Sequence, residues 1–311
     1  MAMRDRRALR LSLDDVRLLA LDVDGTLIDD QFRLPPRTRA LLTWLVREAR
    51  KKVCLCSGRN PAGVVPYMEM IRGEGPLVVH NGAFNFYHPR GEMYALYGYP
   101  VEDFLEVIET LERRRLPFDV NTPYDLYVQE VRPELVPLYA AYFAEPKVID
   151  NWRDLRDPIV KLSVLVPPEE LDAVHAELAE RFGDRFRVVK SGETYIDFVH
   201  PEANKGNGLR SALRELGLSP EQVIAVGNYY NDLEMLSLAG VGVAMGNSPP
   251  EVKERADYVT LSNNEEGVYV ALVDLLFGGR LPRDVALDLE RILREAPKRT
   301  RGERASGALG G

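Results

Sequence analysis

An open, doubly wound α/β sheet interrupted by an inserted α+β domain is the architecture the sequence predicts. Short, nearly continuous apolar runs alternate with helix-length amphipathic segments near both ends of the chain. Glycine- and acid-containing turns close several of those runs. The stretch between, residues 84–199, has a different texture, with short alternating strands and separate amphipathic helices.

The first run, residues 17–23 (RLLALDV), has the continuous apolar character of a strand buried on both faces of a parallel sheet. It ends at Asp24-Gly25. Residues 37–50 place Leu41, Leu42, Leu45 and Val46 at helical spacing, and strands follow at 53–56 and 77–79. This is βαβ alternation, hence a parallel sheet with helices on both faces. It resumes late in the chain with a helix at 208–216, a strand at 223–226, a helix at 232–238, a strand at 241–244, a helix from Pro249 and a strand at 258–261. Ser248-Pro249-Pro250 supplies a capping residue and prolines for a first turn. In the insert, strands are expected at 118–121, 127–130, 161–166 and 195–199, with helices at 101–115 and 169–181. The expected division is a discontinuous core domain, 1–84 with 200–280, an insert at 85–199, and a C-terminal helix (284–294) and tail within 281–311.

The chain has 311 residues, 45% hydrophobic and 28% charged, enough for two domains with a sizeable core. A formal net charge of -8 argues against nucleic acid as a partner, because nonspecific affinity for a phosphate backbone needs a basic face. A small phosphorylated molecule needs only a local positive pocket. Cys54 and Cys56 are two apart on one strand, roughly 6–7 Å along it, which is awkward for a disulfide and fits a reducing compartment. The apolar run at 16–21 is too short for a signal segment or a membrane span. The expectation is a cytoplasmic protein without a membrane partner, a monomer or weak homodimer. The basic, glycine-rich tail 298–311 (KRTRGERASGALGG) is expected to be disordered.

Chemistry enters at Asp22 and Asp24 (LDVDGTL). Two apart at the end of a buried strand, they point the same way, and Gly25 lets the chain turn sharply. A carboxylate there can attack phosphorus while its neighbour moves a proton, in the crevice where open α/β sheets bind ligands. A calcium-loop reading fails because glycine follows the second acid directly and Arg33 stands where such a loop ends in Glu. Ser57-Gly58-Arg59 (CSGR) offers a hydroxyl and free amides after the second strand, an anion site. Asn81-Gly82 (VVHNGAF) leaves the third strand. Lys205 (ANKGNGLRSAL) precedes an amphipathic helix, and a compact ammonium there can contact both the nucleophile and a phosphoryl oxygen. The longest patterned stretch is Gly227-Asn228-Tyr229-Tyr230-Asn231-Asp232 (VIAVGNYYNDLEML), followed by GVGVAMGNSPPEVKERADYVT.

With four of these segments, those at Asp22, Ser57, Lys205 and Gly227, in this order, the chain over residues 17–276 resembles haloacid-dehalogenase-superfamily phosphohydrolases of the Cof type, subfamily IIB. The resemblance implies a Rossmann-like core, an α/β cap that selects the substrate, and hydrolysis of a phosphorylated small metabolite through an aspartyl-phosphate. By it, Asp22 is the nucleophile and Asp24 the acid/base; Ser57, Gly58, Lys205 and Asn231 hold phosphate; and Mg2+ is bound by Asp22, Asp24, Asn228 and Asp232. The family normally reads Gly-Asp-x-x-Asn-Asp in the fourth segment. Here Asn228 replaces the first acid, and an amide brings no charge to a hard cation. Two alternatives stand beside hydrolysis: a sugar phosphomutase, and a ligand-binding or regulatory protein with weakened turnover. Tyr124, Tyr127, Arg153 and His175 lie in the insert; Leu138, Tyr139, Tyr142 and Phe143 read as a packed helix stripe.

Overall fold

The computed structural model describes residues 11–141, 144–191 and 194–295. The tail from Lys298, Tyr142 and Phe143, and the side chain of Leu138 lie outside the described residues.

The core opens with β1 (Leu18–Asp22), α1 (Pro36–Arg47), β2 (Lys52–Cys56), α2 (Val65–Met70), β3 (Gly75–Val79), β4 (Phe84–His88) and β5 (Glu92–Leu96). The insert contributes α3 (Val101–Arg114), β6 (Phe118–Asn121), β7 (Leu126–Val128), α4 (Val136–Ala141), β8 (Pro146–Val148), β9 (Lys161–Leu165), α5 (Leu171–Phe182), β10 (Arg187–Ser191) and β11 (Tyr195–Val199). The core resumes with α6 (Lys205–Leu216), β12 (Val223–Gly227), α7 (Leu233–Leu238), β13 (Val241–Ala244), α8 (Pro250–Arg255), β14 (Tyr258–Val259), α9 (Gly267–Phe277) and α10 (Arg283–Arg294).

The core sheet runs β14-β13-β12-β1-β2-β3-β4-β5, parallel from β14 to β3, with β4 and β5 added antiparallel. After β1 the chain moves to one side of the sheet and, following the insert, returns on the other. The strand order therefore reverses beside β1, where open sheets of this kind form a crevice. The expected boundary at 84/85 moves, because Phe84, Asn85, Phe86 and Tyr87 pair with β3 and belong to the core sheet. Alternating aromatic and polar residues on that hairpin read equally well as insert strands, so only pairing separates them.

Alternation along β1 fixes the site. Leu19 and Leu21 join the larger core, which α9 and α10 help to close, while Leu18 and Ala20 join the cluster containing Leu209, Ala212 and Leu213 of α6. Asp22 continues the second face, so it points toward the start of α6. The cysteines share this face, buried and unpaired, with Sγ atoms 3.6 Å apart. The insert's sheet runs β10-β11-β9-β6-β7-β8 and packs one face on α3 and α5. Among the described residues, no helix is long and apolar enough to cross a membrane.

Candidate active site

Lys205 is the first residue of α6, not the residue before it, and its ammonium is buried between two carboxylates. It donates to Asp22 Oδ1 at 2.6 Å and to Asp232 Oδ1 at 2.7 Å. All three side chains are almost inaccessible. One ammonium cannot neutralise two carboxylates, and burial with the Asp232 charge pushes Asp22 up to about 7 against the opposing pull of Lys205. Burial works against the charged Lys205, yet the two carboxylates outweigh it and hold its pKa above the usual lysine value.

Beyond Asp22 the backbone leaves the strand in a tight turn in which Gly25 is left-handed, with φ +71°. A Cβ at Gly25 would fall 2.4 Å from the Asn228 amide group, so both conformation and space demand glycine. The turn carries Asp24 away from Lys205 and onto Arg59, which donates from Nη2 to Oδ1 at 2.5 Å and from Nε to Oδ2 at 2.8 Å. Arg59 is buried against the rings of Phe32 and Tyr67. The sequence reading named Arg59 only as part of a turn; its role as partner of Asp24 is nonlocal and was missed.

Ser57 is buried at the end of β2, where its Oγ accepts the Arg59 backbone N–H at 3.1 Å. The neighbouring cavity wall comes instead from Gly58, Arg59 and Asn60. Beside Gly58, Asn81 Oδ1 accepts from Asn231 Nδ2 at 3.0 Å, and both asparagines line the cavity. Asn81 reaches it because His80, Asn81 and Gly82 are all left-handed.

The expected direct metal role of Asp232 does not match its geometry. Its Oδ1 is taken by Lys205, and Oδ2 accepts the backbone N–H groups of Asn228 and Tyr229 at 2.8 and 3.0 Å. Asp232 shapes the turn and anchors the ammonium. Among the described residues, no three His, Cys, Asp or Glu side chains converge as metal ligands. A mixed donor set does converge. The inward terminal atom of the Asn228 carboxamide lies 3.1 Å from Asp22 Oδ2, 3.1 Å from the Asp24 carbonyl and 3.3 Å from Thr26 Oγ1. With the amide oxygen inward, three oxygens face one another with no proton between the first two contacts, an arrangement that suits a small hard cation. With the amide nitrogen inward, Asn228 donates to the same oxygens. The residues fit Mg2+, but with one formal carboxylate, Asp22, in the trio.

Asp22, Asp24 and Lys205 open on a cavity of about 500 Å3 whose far wall is the insert. None of the four insert residues singled out above lines it: Tyr124 packs edge-on against Phe84, Tyr127 sits by Lys147, Arg153 lies in a short helical turn, and His175 Nε2 is 3.2 Å from the Val188 carbonyl. Tyr139, from the predicted helix stripe, is a wall residue.

A family model described as haloacid dehalogenase-like hydrolase matches residues 19–272. YitU of Bacillus subtilis, named a 5-amino-6-(5-phospho-D-ribitylamino)uracil phosphatase, is 30% identical over 273 residues, covering 81% of this chain and 94% of that protein. YxeH of the same organism, which carries a provisional phosphatase name, is 29% identical over 268 residues, covering 84% and 98%. A solved haloacid dehalogenase-like hydrolase from Bacteroides thetaiotaomicron superposes with a TM-score of 0.76 at 28% identity, covering 83% of this chain and 98% of that one. The match reaches from β1 into α9, across both halves of the core and the insert between them, and the chain belongs to the haloacid dehalogenase-like hydrolases, as a phosphatase of the Cof type.

Proposed function

We propose that the protein is a Mg2+-dependent phosphohydrolase that frees a small metabolite of its phosphate through an aspartyl-phosphate on Asp22. The observation that carries this reading is the buried Lys205 ammonium, 2.6 Å from a carboxylate at the end of β1 that faces a metabolite-sized cavity. Asp22 attacks phosphorus in line; the P–O bond to the leaving group breaks, and Asp24 gives that oxygen its proton. Asp24 then takes a proton from water as the water attacks the acyl phosphate, restoring the Asp22 carboxylate and releasing inorganic phosphate. Lys205 offsets the repulsion between Asp22 and the incoming phosphoryl oxygens. Gly58, Asn81 and Asn231 offer polar groups to the remaining oxygens, and Arg59 fixes Asp24. Asp22, the Asp24 carbonyl and the Asn228 carboxamide oxygen would hold Mg2+, which would supply positive charge to the phosphoryl group.

The substrate class in this reading is a sugar phosphate or a phosphorylated cofactor or its precursor, in line with the name of YitU. The decisive experiment is phosphate release from an aryl phosphate with Mg2+ by wild type and Asp22→Asn, together with trapping of the acyl phosphate by hydroxylamine. Release within tenfold of wild type in Asp22→Asn removes Asp22 from the nucleophile role. One observation favours a second reading, a ligand-binding protein with weakened turnover: the inward-facing amide of Asn228 satisfies Asp22 and the Asp24 carbonyl without a cation. Tight binding of phosphorylated metabolites with no release would support it.

A further inference from the structure

The insert turns a polar sheet face toward the nucleophile. Asp119 of β6 and Asp197 of β11 both stand beside Ser163 of β9, and Asn121 stands beside Lys161. Side chains alternate along a strand, so the intervening Val120, Leu162, Val164, Ile196 and Phe198 point the other way, into the core under α3 and α5. The polar row lines the same cavity as Asp22, Asp24 and Lys205.

These groups have few partners within the protein. Asp197 is 3% exposed, yet among the described residues its carboxylate accepts no hydrogen bond and meets Lys161 Nζ only at 3.9 Å. Lys161 Nζ and Ser163 Oγ, the latter on a residue 4% exposed, make no hydrogen bond among the described residues. Asp119 has one partner, the Asn121 amide, which donates at 2.6 Å. Burial, with Asp197 adding to it and Lys161 opposing it, pushes Asp119 up to about 6. Buried polar groups ordinarily find partners. A polar row that opens on the cavity with few partners of its own has donors and acceptors to give a ligand there.

We propose that Asp119, Lys161, Ser163 and Asp197 form the leaving-group subsite, and that it takes a neutral, polyhydroxylated group whose neighbouring hydroxyls donate to the carboxylates and accept from Lys161. The proposal rests on the reading of Asp22 as the phosphoryl acceptor, which assigns the phosphate to the core wall and what it is attached to, to the insert wall. Two carboxylates against one ammonium disfavour a second phosphate or carboxylate on the substrate. An apolar leaving group would leave Asp197 and Lys161 desolvated and without hydrogen-bond partners, the situation in which sites built for hydroxyls discriminate most strongly. The cavity has room for a sugar or a five- to six-carbon polyol with a further substituent.

The test pairs substrates with variants. Ribitol 5-phosphate and pentyl phosphate have the same chain length with and without hydroxyls; ribulose 1,5-bisphosphate adds an anion, and 5-aminopentyl phosphate a cation. In wild type, kcat/KM for ribitol 5-phosphate is expected to exceed that for pentyl phosphate by roughly 100-fold or more. In Asp197→Asn and, separately, Lys161→Met, that ratio is expected to fall at least tenfold. A ratio unchanged in both variants would mean a structural role and overturn the proposal, as would a wild-type preference for the pentyl, bisphosphate or aminopentyl compound. Calorimetric binding of ribitol 5-phosphate and pentyl phosphate to Asp22→Asn protein repeats the comparison without turnover. If wild type releases phosphate from none of these compounds while this binding preference is present and is lost on Asp197→Asn, the hydrolase reading fails and the subsite stands.

Discussion

Arg59 grips Asp24 by both carboxylate oxygens, at 2.5 and 2.8 Å, from a buried seat between Phe32 and Tyr67. The paired geometry aims the carboxylate as well as attracting it, because a guanidinium fork fixes the carboxylate plane and an ammonium does not. Arg59→Lys is therefore expected to retain a charge near Asp24 and lose its aim. For alkyl phosphates, whose leaving oxygen needs a proton, kcat should fall by roughly 10–100-fold, a part of the usual share of acid–base catalysis. For an aryl phosphate with a good leaving group the loss should be much smaller. Equal losses on the two substrates would show that Arg59 does not act through Asp24.

The proposed cation site makes a testable demand on Asn228. With its nitrogen inward, the amide donates to Asp22 Oδ2 and the Asp24 carbonyl, both at 3.1 Å, so these two acceptors are satisfied by the protein itself. Asn228→Asp replaces those donors with a third acceptor. In chelator the variant is expected to melt below wild type, from carboxylate repulsion; in millimolar Mg2+ it should melt above it. Calorimetry should find Mg2+ bound about 10–100-fold more tightly by the variant, which corresponds to ~1.4–2.8 kcal/mol surviving desolvation. Melting temperatures that keep the same order with and without Mg2+ would remove Asn228 from the cation site.

Much of this site is legible in the sequence because it is local. Asp22, Asp24, Lys205, Asn228 and Asn231 sit at strand ends or helix starts, where apolar periodicity stops and glycine or capping residues begin. Pairing is what the sequence withholds. Nothing local links Arg59 to Asp24, or commits Asp232 to Lys205 and two backbone amides in place of a metal. Nothing local assigns residues 84–88 to the core sheet either. The insert's polar row did leave a trace: charged or polar 119, 121, 161, 163 and 197 alternate with apolar 118, 120, 162, 164, 196 and 198. Charges on the alternate face of three separate strands are a signal for a second, wet face within a domain interior.

His80 is expected to make folding sensitive to acid. It is 1% exposed, and its Nε2 faces the Pro123 carbonyl at 3.3 Å, so that nitrogen carries the proton and Nδ1, which has no partner among the described residues, does not. Burial, with the Lys161 charge adding to it, lowers its pKa from 6.5 to about 3. Between these values the unfolded chain binds a proton that the native protein refuses. Stability from this group is complete above pH 6.5 and is lost as pH falls toward 3, by about 2 kcal/mol at pH 5. His80→Asn, which tolerates the left-handed backbone, should be less stable at pH 7 yet show a shallower decline in melting temperature from pH 6.5 to 4.5. An unchanged slope would place the acid sensitivity elsewhere.

Asp22→Asn should stabilise the protein that it inactivates. Asp22 and Asp232 share the single ammonium of Lys205 at 2.6 and 2.7 Å, all three buried, so the cluster carries one uncompensated negative charge when both acids are ionised. The raised Asp22 pKa, about 7 against 3.8, has the same sign: between these values the native state holds a proton that the unfolded chain has released. The favourable contribution is complete below about pH 4 and disappears as pH rises through 7, which leaves a destabilising charge above it. Asparagine keeps the shape and removes that charge, leaving a one-to-one pair of Lys205 and Asp232. In chelator at pH 8 the variant is expected to gain ~1–3 kcal/mol, less than the full shift implies because its amide must still find partners. Lys205→Met should do the reverse and lose roughly 3–5 kcal/mol, since it strands two buried carboxylates. Adding Asp22→Asn to Lys205→Met should recover part of that loss. Denaturant unfolding of wild type, the two single variants and the double variant decides it. Additive losses, or an Asp22→Asn protein less stable than wild type at pH 8, would show that Asp22 is not held against electrostatic cost in the cluster.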